Sequence, residues 1–238
     1  MFKKSLLFIA LFHAANFAVL ANEQKAELKK ASETVHSSMP ALANISTAKQ
    51  TLMAKIANLS AFSADFTQKV VDADGNPLQE NSGNLAVDKP NLLHWQVTAP
   101  NESLIVSDGK ALWLYDPFIE QVSVYATDGA MSNTPILLLA NPDKSIWQNY
   151  TVKLLNNEHY LITAKDDNSQ VKSLELQFDK QNQNQNPNEL TTLNEFVILD
   201  ATGQLSRVQL TNVKPLTKKH KSLFTFTPPE GVEIDDQR

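Results

Sequence analysis

The chain has 238 residues, no cysteine and a formal net charge of −5. That length suits one domain with a sizeable core, and the missing cysteine excludes a disulfide staple and a lipid-modified terminal cysteine. The acidic balance argues against nucleic acid and against residence on anionic lipid, both of which favour basic patches.

The first residues have the three parts of a secretory leader. Lys3 and Lys4 make a positive start, Ser5 to Phe12 is mostly apolar, and Ala18-Val19-Leu20-Ala21 supplies small or compact residues for cleavage after Ala21. Loss of the two lysines takes the net charge from −5 to −7. No later apolar run approaches the roughly 20 residues of a membrane span, so the mature protein is expected to be soluble. Residues 22–46 are polar and rich in Ala, Lys and Glu, with Pro40 breaking them, and read as a loosely held extension.

Thr47 reads as the N-cap of a helix that carries Leu52, Ile56 and Leu59 at helical spacing. From Phe62 the period changes to two. Phe62, Ala64, Phe66 and Val70 alternate with polar neighbours, Asp74-Gly75 turns the chain, and Leu85 and Val87 alternate again. After Lys89-Pro90-Asn91 come Leu93, Trp95 and Val97, then Leu104–Ser107 and Ala111–Tyr115 around Asp108-Gly109, then Gln121–Tyr125.

Thr134-Pro135 then announces a short helix, Ile136-Leu137-Leu138-Leu139-Ala140, apolar on every side. It is either a buried plug or a lid with one face on the sheet and one on a ligand. A second short turn carries Trp147. Strands resume at Tyr150–Leu155, His159–Thr163, Lys172–Phe178, Asn194–Leu199, Ser206–Asn212 and Leu223–Thr227, with a turn at Thr202-Gly203. Gln181 to Asn188 is an Asn/Gln-rich solvated loop, and Asp235-Asp236 a solvated tail. So many short strands imply one long antiparallel sheet that must curl or close to manage its edges.

Chemistry-bearing motifs are scarce. No nucleophile elbow, zinc-protease, Walker or dinucleotide pattern occurs. His13, His36, His94, His159 and His220 have no metal-ligand spacing, and Asp72-Ala73-Asp74-Gly75 lacks the later ligands of a calcium loop. Neither a catalytic residue, a metal site nor a cofactor is expected.

Two stretches resemble a known family. Gln79-Glu80, Gly83, Leu85 and Lys89-Pro90-Asn91-Leu92-Leu93-His94-Trp95 form one block. Val106-Ser107-Asp108-Gly109-Lys110-Ala111-Leu112-Trp113-Leu114-Tyr115-Asp116-Pro117-Phe118-Ile119-Glu120-Gln121-Val122 forms a longer and more specific one. Thr134-Pro135 with its apolar helix, Phe224 to Val232 and the final Asp235-Asp236-Gln237-Arg238 extend the match. In these residues the chain, from about Thr47 to Arg238, resembles the periplasmic lipoprotein carriers of the LolA family.

The resemblance implies a mainly β fold with short α-helices, an unclosed antiparallel half-barrel under a helical lid, spanning 47–238. It implies a periplasmic carrier, not an enzyme, whose cavity holds the acyl chains of triacylated lipoproteins. An ATP-driven inner-membrane transporter would load it and an outer-membrane lipoprotein receptor would unload it. A monomer is expected. A generic periplasmic binder of free lipid or another apolar ligand is the alternative on the same scaffold. The implied lipid-binding residues are Leu85, Val87, Leu93, Trp95, Val97 and Trp113, and the lid residues are Ile136, Leu137, Leu139 and Ala140. Lys89 stands where the family has an arginine that holds the lid closed through backbone carbonyls. One ammonium in place of a planar fork implies a latch that is weaker or makes fewer bonds.

Overall fold

The computed structural model describes residues 39–127, 134–141, 143–179 and 192–238. The leader, residues 22–38 of the polar extension and the Gln181–Asn188 loop lie outside these. The chain opens with α1 (Met39–Asn58). This helix starts well before Thr47, which lies inside it instead of capping it. Pro40 does not break the helix, because proline's fixed φ and missing N–H are tolerated in a first turn.

Among the described residues twelve strands follow: β1 (Phe62–Val71), β2 (Pro77–Asp88), β3 (Leu92–Ala99), β4 (Ser103–Asp108), β5 (Ala111–Asp116), β6 (Gln121–Ala126), β7 (Tyr150–Asn156), β8 (His159–Ala164), β9 (Val171–Phe178), β10 (Leu193–Asp200), β11 (Leu205–Pro215) and β12 (Glu233–Asp236). They form a single sheet in the order β12-β6-β5-β4-β3-β2-β1-β11-β10-β9-β8-β7. Every pairing is antiparallel except β12 with β6. The two ends of the order, β12 and β7, do not meet, so the expected unclosed half-barrel is what the chain forms.

One apolar cluster reveals how the sheet is bent. It joins Leu112 of β5, Leu85 of β2, Phe66 of β1, Phe196 of β10 and Tyr160 of β8 with α1. A flat sheet of this many strands would be roughly 50 Å across at the usual strand spacing, too wide for its ends to share a core. The sheet therefore curls, with this cluster on its inner face.

The period-two reading of β1 holds: its burial alternates along Phe62, Ala64, Phe66, Gln68 and Val70. Gly83 allows the inner face to close up at β2 and β3. A Cβ there would lie 1.8 Å from the Gln96 carbonyl oxygen and 3.0 Å from the Phe66 ring. The turns at Gly75, Gly109 and Gly203 form where expected, each with the glycine at positive φ.

Two expectations fail near the C-terminus. Lys218–Phe224 is a 3-10 helix, and residues 225–229 make no strand. Phe226 packs on the sheet's outer face, Phe224 is buried at the end of the 3-10 helix, and Pro228-Pro229 offers no N–H for a ladder. Asp235-Asp236 is not a free tail but part of β12. Gln237 N–H extends that edge to the Val124 carbonyl at 2.8 Å.

Candidate functional site

The inner face of β2 and β3 gathers five of the six residues assigned to lipid. Leu85, Val87, Leu93, Trp95 and Val97 are all buried in the inner cluster. The register pairs Leu85 with Trp95 and Val87 with Leu93, so they share a face. Trp95 is the centre of an aromatic group, 4.7 Å from Phe66 and 5.8 Å from Phe196 between ring centroids.

Trp113 does not belong with them. Its neighbour Leu112 points inward and is fully buried, so the alternation of a strand turns Trp113 outward. There it packs with Val122, Val124, Tyr115 and Phe226 in a second, smaller cluster on the outer face. Its indole N–H donates to the Asp108 carboxylate at 3.1 Å.

Pro135–Leu139 forms a 3-10 helix with proline at its first position. Ile136, Leu137, Leu138, Leu139 and Ala140 are all buried in the inner cluster, with Leu137 to Ala140 completely inaccessible. The helix is thus a plug in the mouth of the half-barrel, touching β9 among its neighbours. Thr134 precedes it as expected, but its hydroxyl makes no capping bond and is buried without a partner.

Lys89 does not reach this segment. Its ammonium donates to the carbonyls of Ile56, Ala57 and Leu59, at 2.5, 3.0 and 2.6 Å, at the C-terminal end of α1. The compact cation spends all three donors there, where the helix dipole is negative; the Ile56 carbonyl also accepts from the Leu59 N–H. Burial lowers the Lys89 pKa, an effect partly opposed by Asp88.

The residue that fastens the plug is Asn91. Its N–H donates to the Ala140 carbonyl at 2.9 Å, and its side-chain carbonyl accepts from Asn141 Nδ2 at 2.7 Å. Asn91 has φ +58°, a left-handed conformation that asparagine tolerates. Its own carbonyl accepts from the Ser107 hydroxyl at 2.5 Å, which anchors the turn to β4. Neither Asn91 nor Asn141 is singled out by the sequence. The available signal was an asparagine after Lys-Pro between two strands, which marks a tight turn and not its partner.

The cover also includes α1, whose Ala48, Leu52 and Ile56 face the cluster, with Leu59 just past its end. Lys49 donates to the carbonyls of Trp147 and Tyr150, and Lys55 pairs with Glu158 at 2.6 Å. These bonds tie the helix to β7 and the β7–β8 turn. Trp147 itself is buried in the short turn Ile146–Asn149, as expected.

Among the described residues no three His, Cys, Asp or Glu side chains group as a metal site, and no helix is long and apolar enough to cross a membrane. His94 Nδ1 donates to the Leu223 carbonyl, His159 meets Glu175, and His220 closes a capping box with Thr217. Each of these three histidines is engaged in structure.

Known proteins resemble this chain over most of its length. The family profile "Outer membrane lipoprotein carrier protein LolA" matches residues 57–227. An outer-membrane lipoprotein carrier protein of Aeromonas salmonicida is 40% identical over 80% of this chain and 90% of its own length. One of Proteus mirabilis is 39% identical over 80% of this chain and 89% of its own. A crystal structure of a LolA superfamily protein from Nitrosomonas europaea overlays 75% of this chain and 98% of its own, at 13% identity and a TM-score of 0.43. With an apolar, plugged inner face and relatives this similar over most of their length, the chain belongs to the outer membrane lipoprotein carrier family, LolA.

Proposed function

We propose that the protein carries lipoproteins from the inner to the outer membrane, holding their acyl chains against the inner face of the half-barrel. The observation that carries this reading is the plug. A wholly apolar segment, Ile136–Ala140, fills the inner face, yet polar bonds from Asn91 and Asn141 fasten it at one end. An acyl chain can replace such a plug with like chemistry, and binding shifts the equilibrium only through that exchange.

The energetics fit a carrier better than a tight binder. Each buried methylene is worth about 0.8 kcal/mol. Several long chains would sum to tens of kcal/mol, above the roughly 18–21 kcal/mol at which affinities saturate. Expelling buried leucines offsets part of that gain and keeps release possible. Leu85, Val87, Leu93, Trp95 and Val97 would line the chains, with Ile136, Leu137 and Leu139 moving aside. Trp113, on the other face, has no part in it.

In this reading residues 1–21 direct export and are removed, the carrier works in the periplasm, and residues 47–238 form the carrier domain with α1 reaching back to Met39. An ATP-driven inner-membrane transporter loads it, an outer-membrane receptor relieves it, and it performs no hydrolysis. The test is mass spectrometry of lipoproteins released from spheroplasts with and without the mature protein. Soluble one-to-one complexes with triacylated lipoproteins, formed only when it is present, are expected. Lipoproteins that stay in the membrane while free lipid co-purifies would make the protein a lipid binder instead.

A further inference from the structure

The turn joining β5 to β6 has no role in the plugged inner face, yet it is built to be seen. Phe118 is 78% exposed and Ile119 52% exposed at its tip. The tip is not loose. The Asp116 carboxylate accepts from the Phe118 N–H at 2.9 Å, and the Glu120 carbonyl accepts from the Glu233 N–H at 2.9 Å. That second bond sets β12 beside the tip and brings in Ile234, itself 52% exposed. Single exposed apolar residues need no explanation, but three on one pinned edge make a patch.

The surround is acidic. Residues 111–126 and 222–237 hold Asp116, Glu120, Glu230, Glu233, Asp235 and Asp236, and no lysine or arginine. Of these carboxylates Arg238 pairs with Asp236. An anionic bilayer would repel this edge. A protein pocket that takes an aromatic ring and is ringed by Lys or Arg would be drawn to it, since complementary charge steers encounter while a buried aromatic anchor holds it.

We infer that the Phe118-Ile119 tip and Ile234 dock into an apolar, basic-rimmed pocket of a protein that loads or relieves the carrier. The occupant is a protein surface, not lipid and not a second copy of this chain. The choice of proteins to test rests on the carrier reading; the surface chemistry does not.

The experiment compares the mature protein with the double variant Phe118→Ser/Ile119→Ser and with Glu120→Lys/Glu233→Lys. Loading with detergent-dispersed triacylated lipoprotein is measured first. It probes the inner face and should be equal in all three; failure of the unaltered protein to load refutes the carrier reading alone. Binding to the purified periplasmic part of the lipoprotein-releasing transporter, and to the purified receptor, is measured next. At least one partner should bind the serine variant tenfold or more weakly. Charge reversal should weaken binding less, and abolish its dependence on salt. Equal binding of both variants to both partners overturns the inference. So does capture of the unaltered protein by phosphatidylglycerol vesicles that the serine variant escapes, or a dimer in sedimentation that it loses.

Discussion

The two faces of the sheet are covered in different ways. On the inner face, side chains from nearly every strand meet α1 and the plug in one continuous cluster. On the outer face a C-terminal strap, the 3-10 helix Lys218–Phe224 with Phe226 and Val232, crosses β3 to β6. The strap is joined to the sheet by chain that ends in β12, and rings meet rings there: Phe226 lies 5.8 Å from Trp113 and 5.7 Å from Tyr115. The inner cover is large and apolar in its seal, with hydrogen bonds at its margins. A surface that must be stable when closed and still open is served by contacts without directional bonds, since apolar contact can be traded for another apolar partner.

The sharpest way to test that contrast is to remove one tryptophan from each face. Trp95→Ala should cost about 3–5 kcal/mol, the range for deleting a large buried aromatic. Trp113→Ala should cost well under that, because its ring is only part-buried. Denaturant midpoints of the two variants check this, and equal losses would mean that the outer cluster is as much a core as the inner one.

Lys89→Ala comes next in size. It removes three hydrogen bonds at the end of α1, for a loss of about 1–2 kcal/mol once solvent screening of a partly exposed ammonium is allowed for. The fold should survive. Hydrogen exchange should quicken along the last turn of α1 while the amide of Asn91, bonded to Ala140, stays protected. Loosening of both together would make Lys89 a latch on the whole cover and not on the helix alone.

The smallest effect is on the outer face. Burial lowers the pKa of His94, against the opposing pull of the Leu223 carbonyl and Gln96. Its folded value lies below the unfolded value of about 6.5, so the unfolded chain binds the proton more readily. The stability tied to neutral His94 is full above about pH 6.5 and is lost as pH falls through the folded value. Thermal melts between pH 7.5 and 5 should fall less in His94→Gln than in the parent. Identical slopes would remove His94 from the strap's stability.

Some of this was legible in the residues. The alternation of Phe62 to Val70 reports a strand with one buried face, and the turn at Asp108-Gly109 needs only local geometry. The polar half of β2, Pro77–Asn84, was not readable. Gln79-Glu80-Asn81-Ser82-Gly83-Asn84 has no apolar period, and it is a strand because β1 supplies a ladder residue by residue. Gly83 belonged to the family resemblance, while its reason, the approach of the Gln96 carbonyl, appears only when β3 is in place.

The candidate site divides along the same line. Which residues are apolar, and with what period, was set by the chain itself. That is why Leu85, Val87, Leu93, Trp95 and Val97 read as strand residues and why the Ile136–Ala140 segment stood out; their grouping as a lipid site came from the family resemblance, which counted Trp113 with them. Which face a strand turns to the core is decided by its neighbours. Ala111-Leu112-Trp113-Leu114-Tyr115 carries an apolar residue at every position, so its sequence holds no preference, and the curl of the sheet sent Trp113 outward. Hydrogen bonds between distant segments were beyond the sequence for a similar reason. Lys89 and Asn91 are two residues apart, but one reaches the end of α1 and the other the end of the plug. A donor has no partner until folding brings two remote carbonyls within 3 Å of it.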